Sequence, residues 1–415
     1  MKPFIPALIV QKYGGTSVGS LELIQRVAAK VAAIRERGDD IVVVVSAMGD
    51  STDRLVDLAR SLTTEPAPRE MDALLSTGEQ VSIALLAIAL NARGVRARSF
   101  TGAQVRVLTS NVYTRARIAD IETELLKSTL AAGIVPVVAG FQGVDSQGNI
   151  TTIGRGGSDT TAVALAVALR ANECQILTDV DGVYTTDPRM VATARRLERL
   201  SFEEMLELAG QGSRVLHLRC VEFAAKYNVP LRVLSSFGSG PGTLICKEES
   251  PVEAPVVAGI AFNRDEAQIS INNLPDSPGI AFRMLKPVSD QSIEIDMIVL
   301  TTSRAGCTDL SFTVHRDDYV QTLRLVNQAI AAFPSAVATG NDRVAKLSVV
   351  GVGMRSHAGV ATQLFETLAN AGVLLQLVTT SEIKISVLIP EDRLELCVGE
   401  VHRSFGLEHP AAAQE

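Results

Sequence analysis

Ile150-Thr151-Thr152-Ile153-Gly154-Arg155-Gly156-Gly157-Ser158-Asp159-Thr160-Thr161, running on into the apolar Ala162 to Leu169, is the stretch from which the rest of the chain is read. A β-branched run meets three glycines and then an almost wholly apolar segment, which predicts strand, loop and buried helix. Gly154, Gly156 and Gly157 let backbone approach a ligand closely, and Ser158, Asp159, Thr160 and Thr161 are residue types that cap a helix start. Free N–H groups at such a start attract anions, and Arg155 adds a planar fork of donors suited to a carboxylate or phosphate. Asp159 would be repelled by the same anion, so it is expected to face a cation, either a lysine or a metal. The plainer reading, a capped strand-to-helix turn with a surface arginine, stays open on this stretch alone.

Outward from it the same arrangement recurs. Ala7 to Val10 is a short apolar strand that leads through Gln11-Lys12-Tyr13-Gly14-Gly15-Thr16-Ser17-Val18-Gly19 to an amphipathic helix over about Leu21 to Arg37. The lysine precedes the glycines, so this is not the order of a P-loop; Lys12 is expected at the strand's carboxyl end beside the Gly14 and Gly15 amides. Ile41 to Val45 is uniformly β-branched, which predicts a buried parallel strand, and Ser46 to Asp53, with Ser46 and Thr52, follows it. Ligands of an open parallel sheet sit outside the carboxyl ends of its strands, so these loops are expected to converge.

Thr63 to Arg69 reads as a surface excursion, and Met71 to Leu90 as a buried helical stretch with Ser76-Thr77-Gly78-Glu79 inside it. An ionised Glu79 there is costly unless paired, and an incoming ammonium group would pair it; a helix break with an exposed glutamate is the alternative. Val95 to Val107 and Ile134 to Val138 add strands, and Val144 to Asn149 is a polar turn. Past the central helix, Cys174 to Leu177 is a strand, followed by the polar loop from Thr178 and Asp179 through Tyr184 to Arg189. Arg195 to Leu208 and Gly210 to Lys226 are expected helices, Val229 to Leu234 is expected to end the sheet, and Lys247 to Pro255 reads as a linker.

The remainder holds an internal repeat. Gln268 to Ile271 and the turn to Gly279 match Lys346 to Val349 and the turn to Gly359 at an offset of about 80 residues. Each copy continues with two strands and a last helix, which predicts β-α-β-β-α-β twice, the ferredoxin-like unit. Gly351-Val352-Gly353-Met354 resembles the start of a dinucleotide fingerprint, but the third glycine and the later acid are missing.

At 415 residues, with roughly 100–200 residues per domain, two or three domains are expected. A formal charge of −7 argues against a nucleic-acid-binding surface, so any anion must be held by local cations. The five cysteines are odd in number and show no C-x-x-C spacing, which suits reduced thiols in a cytoplasm and signals no protein metal site. No membrane partner is expected either, because the apolar segments read as shorter than the ~20 residues that span a bilayer.

In order along the chain, K-Y-G-G-T-S-V-G, V-V-S-A-M-G-D-S-T-D, S-T-G-E-Q, G-F-Q-G, G-R-G-G-S-D-T-T-A and T-D-V-D-G-V-Y-T-T-D-P-R together resemble the aspartate kinase branch of the amino acid kinase family, and the tandem repeats resemble its paired ACT domains. The resemblance covers almost the whole chain. It implies an α/β fold: a three-layer αβα, carbamate kinase-like catalytic domain with a mainly parallel sheet over 1–250, and two ferredoxin-like ACT domains over 262–337 and 344–410. It also implies transfer of the ATP γ-phosphoryl group, with Mg²⁺, to the side-chain carboxylate of L-aspartate. Carried over residue by residue, Lys12, Gly14 and Gly15 hold phosphates, and Asp159 orients Lys12. Ser46, Thr52, Glu79, Arg155, Gly156, Gly157 and Ser158 hold aspartate, while Thr178, Asp179, Tyr184, Arg189, Arg214 and Val215 line the nucleotide. Arg214 stands where many relatives have lysine. The chemistry fits independently: a carboxylate of pKa ~3.9 is already ionised, so positioning and electrostatics are needed rather than a general base.

The ACT pair implies amino-acid feedback by lysine, threonine or both, and a homodimer or higher oligomer built through these modules, with a smaller ACT-only subunit as a further option. Effector positions carried over are Asp276, Ala281, Glu294, Ile295, Asp296, Val360, Ala361, Leu374, Leu375 and Ser381. The chain departs from the family's glutamine at Leu300 and from its asparagine at Leu374. Each lost amide would leave a bound amino acid with unmet polar groups, on the order of 1–3 kcal/mol, so weak or altered feedback is expected. Two other readings remain: a kinase for glutamate or an analogue, and a catalytically idle amino-acid sensor.

Overall fold

The computed structural model describes residues 6–212, 215–248, 257–302, 306–352, 354 and 359–409. Its contacts divide the chain into two compact units: Met1–Val183 with Arg196–Ala209 and Arg214–Pro251, and Tyr184–Arg195 with Gly210–Ser213 and Val252–Glu415. The short excursion Tyr184–Arg195, expected within the catalytic region over 1–250, therefore packs with the C-terminal unit.

The first unit is built on an eight-stranded sheet in the spatial order Arg199–Ser201, Thr243–Cys246, Leu231–Ser235, Glu173–Thr178, Leu8–Tyr13, Asp40–Val45, Val135–Ala139, Ala97–Phe100. Strand Leu8–Tyr13 lies between two parallel neighbours, Asp40–Val45 and Glu173–Thr178. Strand Asp40–Val45 is covered on both faces; Val42 to Val45 are all 0% exposed, as a β-branched run in a parallel sheet requires. Helices Leu21–Glu36 and Thr77–Ala92 pack over it through Ile24, Val27, Val31, Ile83, Leu86 and Leu90.

Several expectations for this unit are corrected. Ile150–Thr152 does not join the parallel sheet; it belongs to a separate four-stranded sheet, paired antiparallel with Gln142–Val144. The sheet does not end at Leu231–Ser235, because Thr243–Cys246 returns antiparallel beside it and Arg199–Ser201 adds an edge. The expected helix from Arg195 begins only at Phe202: the Ser201 Oγ accepts from Glu204 N–H (3.1 Å) and Glu204 accepts from Ser201 N–H (2.9 Å), a reciprocal capping box. The helix expected from Gly210 runs instead over Leu218–Tyr227. Pro68 opens a helix rather than sitting in a loop, and the run Pro68–Ala92 reaches 25 residues, long and apolar enough to pass as a membrane span by length and composition. Half of its most apolar window is buried, and Asp72 and Glu79 bond within the fold, the profile of a core helix.

The second unit is a six-stranded sheet in the order Ile295–Thr302, Cys307–His315, Gly259–Pro275, Val337–Val350, Lys384–Pro390, Leu377–Thr380. Helices Ile280–Ser289, Tyr319–Ile330, Val360–Asn370 and Leu394–Ser404 complete two ferredoxin-like layers with separate cores, one around Ile269, Phe312 and Val326 and one around Leu347, Leu364 and Val398. The second repeat has no closing strand of its own among the described residues. Its fourth strand is the beginning of Gly259–Pro275, whose Gly259 to Asn263 pair with Lys346 to Val350. The two long strands are thus shared end to end by both repeats, which corrects the expectation of two self-contained copies. Most of the expected linker and residues 355–358 of the second turn lie outside the described residues.

Candidate active site

Lys12 ends up where its strand alternation puts it, at the carboxyl end of Leu8–Tyr13, opposite Val44 and Ile176 and 9% exposed. Its Nζ lies 2.7 Å from Asp159 Oδ1, on the first turn of helix Gly157–Leu169. The cation expected to face Asp159 is therefore a lysine. Desolvation makes such a pair strong only when both groups are held, and both are: one by the sheet, the other by a helix of which Ala162, Val163, Leu165 and Ala166 are all 0% exposed.

The glycines beside Lys12 divide their tasks. The Gly14 N–H donates to the Leu177 carbonyl at 3.3 Å, so this amide is already engaged, contrary to the expectation that both glycine amides face a ligand. Gly15 is demanded by proximity: a Cβ there would stand 2.9 Å from the Ala47 carbonyl oxygen. The Gly49 N–H closes the same contact on the Gly15 carbonyl (3.1 Å), and Ser46 N–H donates to Tyr13 O (3.1 Å). A Cβ on Gly78 would meet Ala47 Cβ at 2.8 Å. The loops after the first two strands and the start of helix Thr77–Ala92 therefore converge on Ala47, with Thr52 one residue inside helix Ser51–Leu62.

Glu79 sits in that convergence, 3% exposed. Its Oε1 accepts from Ala47 N–H at 3.1 Å, while Oε2 has no partner among the described residues. Burial pushes its carboxyl up from the ordinary 4.5 to about 7, against the weaker opposing pull of backbone N–H groups including that of Ala47. A buried carboxylate with one oxygen unmet is a site built for a cation that arrives with a ligand. The exposed-glutamate alternative is thereby removed.

The glycine-rich loop is set by backbone geometry. Gly154 and Gly156 take φ of 84° and 67°, and Gly156 is the N-cap of helix Gly157–Leu169. No side chain caps that helix start: Thr160 and Thr161, expected as caps, donate their hydroxyls back to the Gly156 and Gly157 carbonyls at 3.0 and 2.8 Å. Ser158 packs under Gly140, whose Cβ position would fall 2.7 Å from the serine Oγ. Arg155 is exposed and makes no hydrogen bond or ion pair among the described residues. The loop thus presents a free guanidinium beside a helix terminus without a side-chain cap, an arrangement suited to anions.

Three residues that support this loop were not anticipated. His217 lies against Gly156, where a Cβ would come within 2.4 Å of the histidine Cβ. Arg219 donates to the Ile153 and Ala116 carbonyls at 2.9 and 3.1 Å. Asp72, 0% exposed, accepts from Thr152 and Thr114. An aspartate inside the apolar Met71-Asp72-Ala73-Leu74-Leu75 run was the available signal.

Among the nucleotide-side residues, Thr178 ends strand Glu173–Thr178 and donates its hydroxyl to Asp179 at 3.0 Å; Val215 is half-buried in the same unit. Tyr184 and Arg189 fall in the second unit, where Arg189 pairs with Asp187 (2.7 Å), Thr185 accepts Ile260 N–H on its carbonyl, and its hydroxyl bonds His402 Nε2 (2.9 Å). Arg214 lies outside the described residues.

The effector positions split between the two repeats. Asp276 and Ala281 flank the start of helix Ile280–Ser289, with Glu294 and Ile295 at the next strand. Asp296 is already tied to Lys346 Nζ. Val360 and Ala361 open helix Val360–Asn370; Leu375 is half-buried, Leu300 and Leu374 are exposed, and the Ser381 Oγ accepts from Lys384 N–H. No cluster of three or more His, Cys, Asp or Glu suited to a metal occurs among the described residues.

Comparison with known proteins bears on this geometry. A model of the amino acid kinase family matches residues 7–235, and an ACT domain model matches residues 347–405. An aspartate kinase of Pseudomonas fluorescens is 58% identical over 412 residues, 99% of this chain and 100% of the relative. The crystal structure of E. coli aspartokinase III in complex with aspartate and ADP, in its R-state, is similar with a TM-score of 0.79 and 26% identity, covering 96% of this chain and 99% of that one. The same enzyme with lysine and aspartate, in its T-state, gives a TM-score of 0.77 over the same shares at 26% identity.

Proposed function

The chain belongs to the amino acid kinase family, in its aspartate kinase branch, and on that premise we propose how its residues divide the work of phosphorylating L-aspartate. The reaction moves the γ-phosphoryl group of ATP to the side-chain carboxylate, giving 4-phospho-L-aspartate, the entry step toward lysine, threonine and methionine. Glu79 takes the ammonium group of aspartate, supplying the negative charge that its unmet Oε2 has to offer. Arg155 takes a carboxylate in its fork, with the Gly156, Gly157 and Ser158 backbone, Ser46 and Thr52 completing the acceptor side.

Lys12, with the Gly15 amide, holds the phosphoryl oxygens and offsets the charge that spreads over them as the carboxylate oxygen attacks phosphorus and the bridging oxygen leaves to ADP. Asp159 fixes Lys12 in position through their 2.7 Å contact and, being an acceptor only, keeps the ammonium from swinging away. No proton has to be removed from the acceptor, because aspartate's carboxyl is ionised at neutral pH. Thr178, Asp179 and Val215 are assigned to the nucleotide; Tyr184, Arg189 and Arg214 are assigned to it by resemblance alone. Mg²⁺ would add Lewis-acid neutralisation of the phosphates; without a carboxylate cluster among the described residues, phosphate oxygens and water fit as most of its ligands, with Asp179 available as a protein donor.

The observation that carries this reading is the buried Glu79 with one oxygen unpaired, held against Ala47 where the loops after the first two strands converge. ATP-dependent acyl phosphate trapped with hydroxylamine, with L-aspartate, L-glutamate or no acceptor, tests it: product is expected with aspartate, and product with glutamate only would overturn the acceptor assignment. We further assign the tandem repeats to feedback by lysine or threonine and to oligomer formation, in a cytoplasmic enzyme whose five cysteines are all free. With Leu300 and Leu374 in place of amide side chains, inhibition of purified enzyme by lysine plus threonine is expected to need high concentrations; half-inhibition in the micromolar range or below would contradict this.

A further inference from the structure

Lys12 is flanked in its strand by Gln11 and Tyr13, which by alternation point away from it to the other face of the sheet, and the mechanism above uses neither. Gln11 is 3% and Tyr13 0% exposed, the tyrosine lying in one core with Ile24 and Val27. Burial pushes the Tyr13 hydroxyl above its ordinary range, so it keeps its proton and donates to Gln11 Oε1 at 2.9 Å. Gln11 Nε2 donates in turn to Gln175 Oε1 at 2.7 Å, and Gln175 Nε2 to Glu173 Oε1 at 2.8 Å. Arg232 closes the row with a two-pronged contact on Glu173, Nε to Oε1 at 2.9 Å and Nη2 to Oε2 at 2.8 Å. From Tyr13 to Glu173 every bond runs in one direction and ends on a carboxylate that Arg232 neutralises, so each bond strengthens the next.

The row follows the ladder of the sheet. Gln11 stands opposite Gln175 and Gln175 opposite Arg232, so the neighbouring parallel strands Leu8–Tyr13, Glu173–Thr178 and Leu231–Ser235 are tied at one level. Apolar contacts alone would not tie them there. Leu8-Ile9-Val10 beside Ile41 to Val45 would bury as well after a slip of two residues, whereas two amides, a hydroxyl and a carboxylate that must meet would not. Lys12 is one residue beyond Gln11, and Gly14 and Gly15 follow Tyr13. Buried amides add little net stability over apolar side chains of the same shape, so placement is what distinguishes them here.

We propose that Gln11, Gln175 and Tyr13 are positioning residues for Lys12, holding its strand end at the level where the ammonium meets the transferred phosphoryl group. This rests on the assignment of Lys12 to the phosphoryl oxygens. Glu79 and Arg155 stand on other elements, so the affinity for the acceptor does not depend on the row. A displacement of Lys12 by about 1 Å acts instead on the charge that develops during transfer, and lowers turnover.

The test removes the row as a whole: Gln11→Met, Tyr13→Phe and Gln175→Met together leave none of its amides or hydroxyls unmet and keep the Arg232–Glu173 pair. The expected result is an unfolding midpoint near the parent's, a kcat per folded molecule lowered about tenfold, and a KM for L-aspartate within about twofold of the parent. A purely architectural row would give the reverse, a lower midpoint with unchanged kcat per folded molecule. That result, a parent-like kcat, or a rise in the aspartate KM as large as the fall in kcat would overturn the proposal. If the triple variant does not fold, Tyr13→Phe carries the test alone. It removes one hydroxyl at the end of the row, with kcat expected to fall about threefold and the aspartate KM to stay unchanged; a parent-like kcat there would overturn the proposal equally. Lys12→Ala run alongside separates the two levels. If it keeps the parent's kcat, the phosphoryl assignment itself fails; if it loses turnover while the row variants keep theirs, only the positioning role fails.

Discussion

Each unit buries a charged side chain, and the two are treated in opposite ways. In the second unit Lys346, 3% exposed, lies 3.1 Å from Glu266 and also bonds Asp296; burial opposes its charge, but the two carboxylates raise its pKa above the ordinary lysine value. In the first unit Glu79 is as deeply buried, has only backbone N–H groups for partners, and keeps an oxygen unmet. A buried charge whose partners are all internal belongs to the architecture, here the junction where two repeats share their long strands. One left incomplete is at the expense of stability and has its use when a ligand completes it.

Removing a partner should therefore hurt the two regions differently. Lys346→Met is expected to lower stability by about 3–5 kcal/mol, because it strands the buried Glu266 without its cation. Denaturant unfolding of the second unit's transition would read it, while kcat per folded molecule with saturating aspartate and ATP should stay near that of the parent. Adding Glu266→Leu should recover most of the loss; no recovery would mean that the triad is not a closed structural unit.

Glu79→Gln should do the reverse. It would remove the counter-charge proposed for the acceptor's ammonium, so the KM for L-aspartate is expected to rise about 30- to 100-fold with little change in the KM for ATP. The folded-state pKa of Glu79 is raised to about 7, so its contribution to stability is full below the ordinary 4.5 and lost as pH rises through about 7. Above that pH the parent carries a penalty of up to roughly 3 kcal/mol that glutamine avoids. Thermal melts at pH 8 should accordingly show the impaired variant to be the more stable protein; a lower Tm would break the contrast.

How far each region could be read from the letters follows the same division. Lys12, Glu79, Arg155 and Asp159 stood out because a charge among glycines or apolar turns conflicts with its surroundings, and such conflict is local and visible. Lys346 gave no such sign: it opens an alternating strand pattern, and its partners Glu266 and Asp296 are 80 and 50 residues away. The same reason explains the misplaced strands. Ile150–Thr152 has the composition of a parallel strand, but membership of a sheet is decided by the partner, which for it is Gln142–Val144. The closing strand of the second repeat precedes the first repeat in the chain, a non-local exchange that no periodicity encodes. Ser201-Phe202-Glu203-Glu204, by contrast, is a capping box present in the letters, and it is masked because helical periodicity continues on both sides of it.

The finest measure of the contrast is a proton. With its pKa raised to about 7 in the ligand-free site, Glu79 is about half protonated at pH 7. An ammonium group set against it stabilises only the ionised form, so binding must expel the remaining proton. L-Aspartate binding at pH 7 should therefore release about half a proton, approaching one near pH 6 and none at pH 9. Below pH 7 the apparent affinity for aspartate should weaken toward tenfold per pH unit. Calorimetry in two buffers of different ionisation enthalpy measures the release directly, and Glu79→Gln should abolish it. A pH-independent binding enthalpy with equal values in both buffers would mean that the acceptor's ammonium does not meet Glu79. No such exchange is expected at Lys346, whose raised pKa keeps it charged throughout this range and whose partners are present before any ligand arrives.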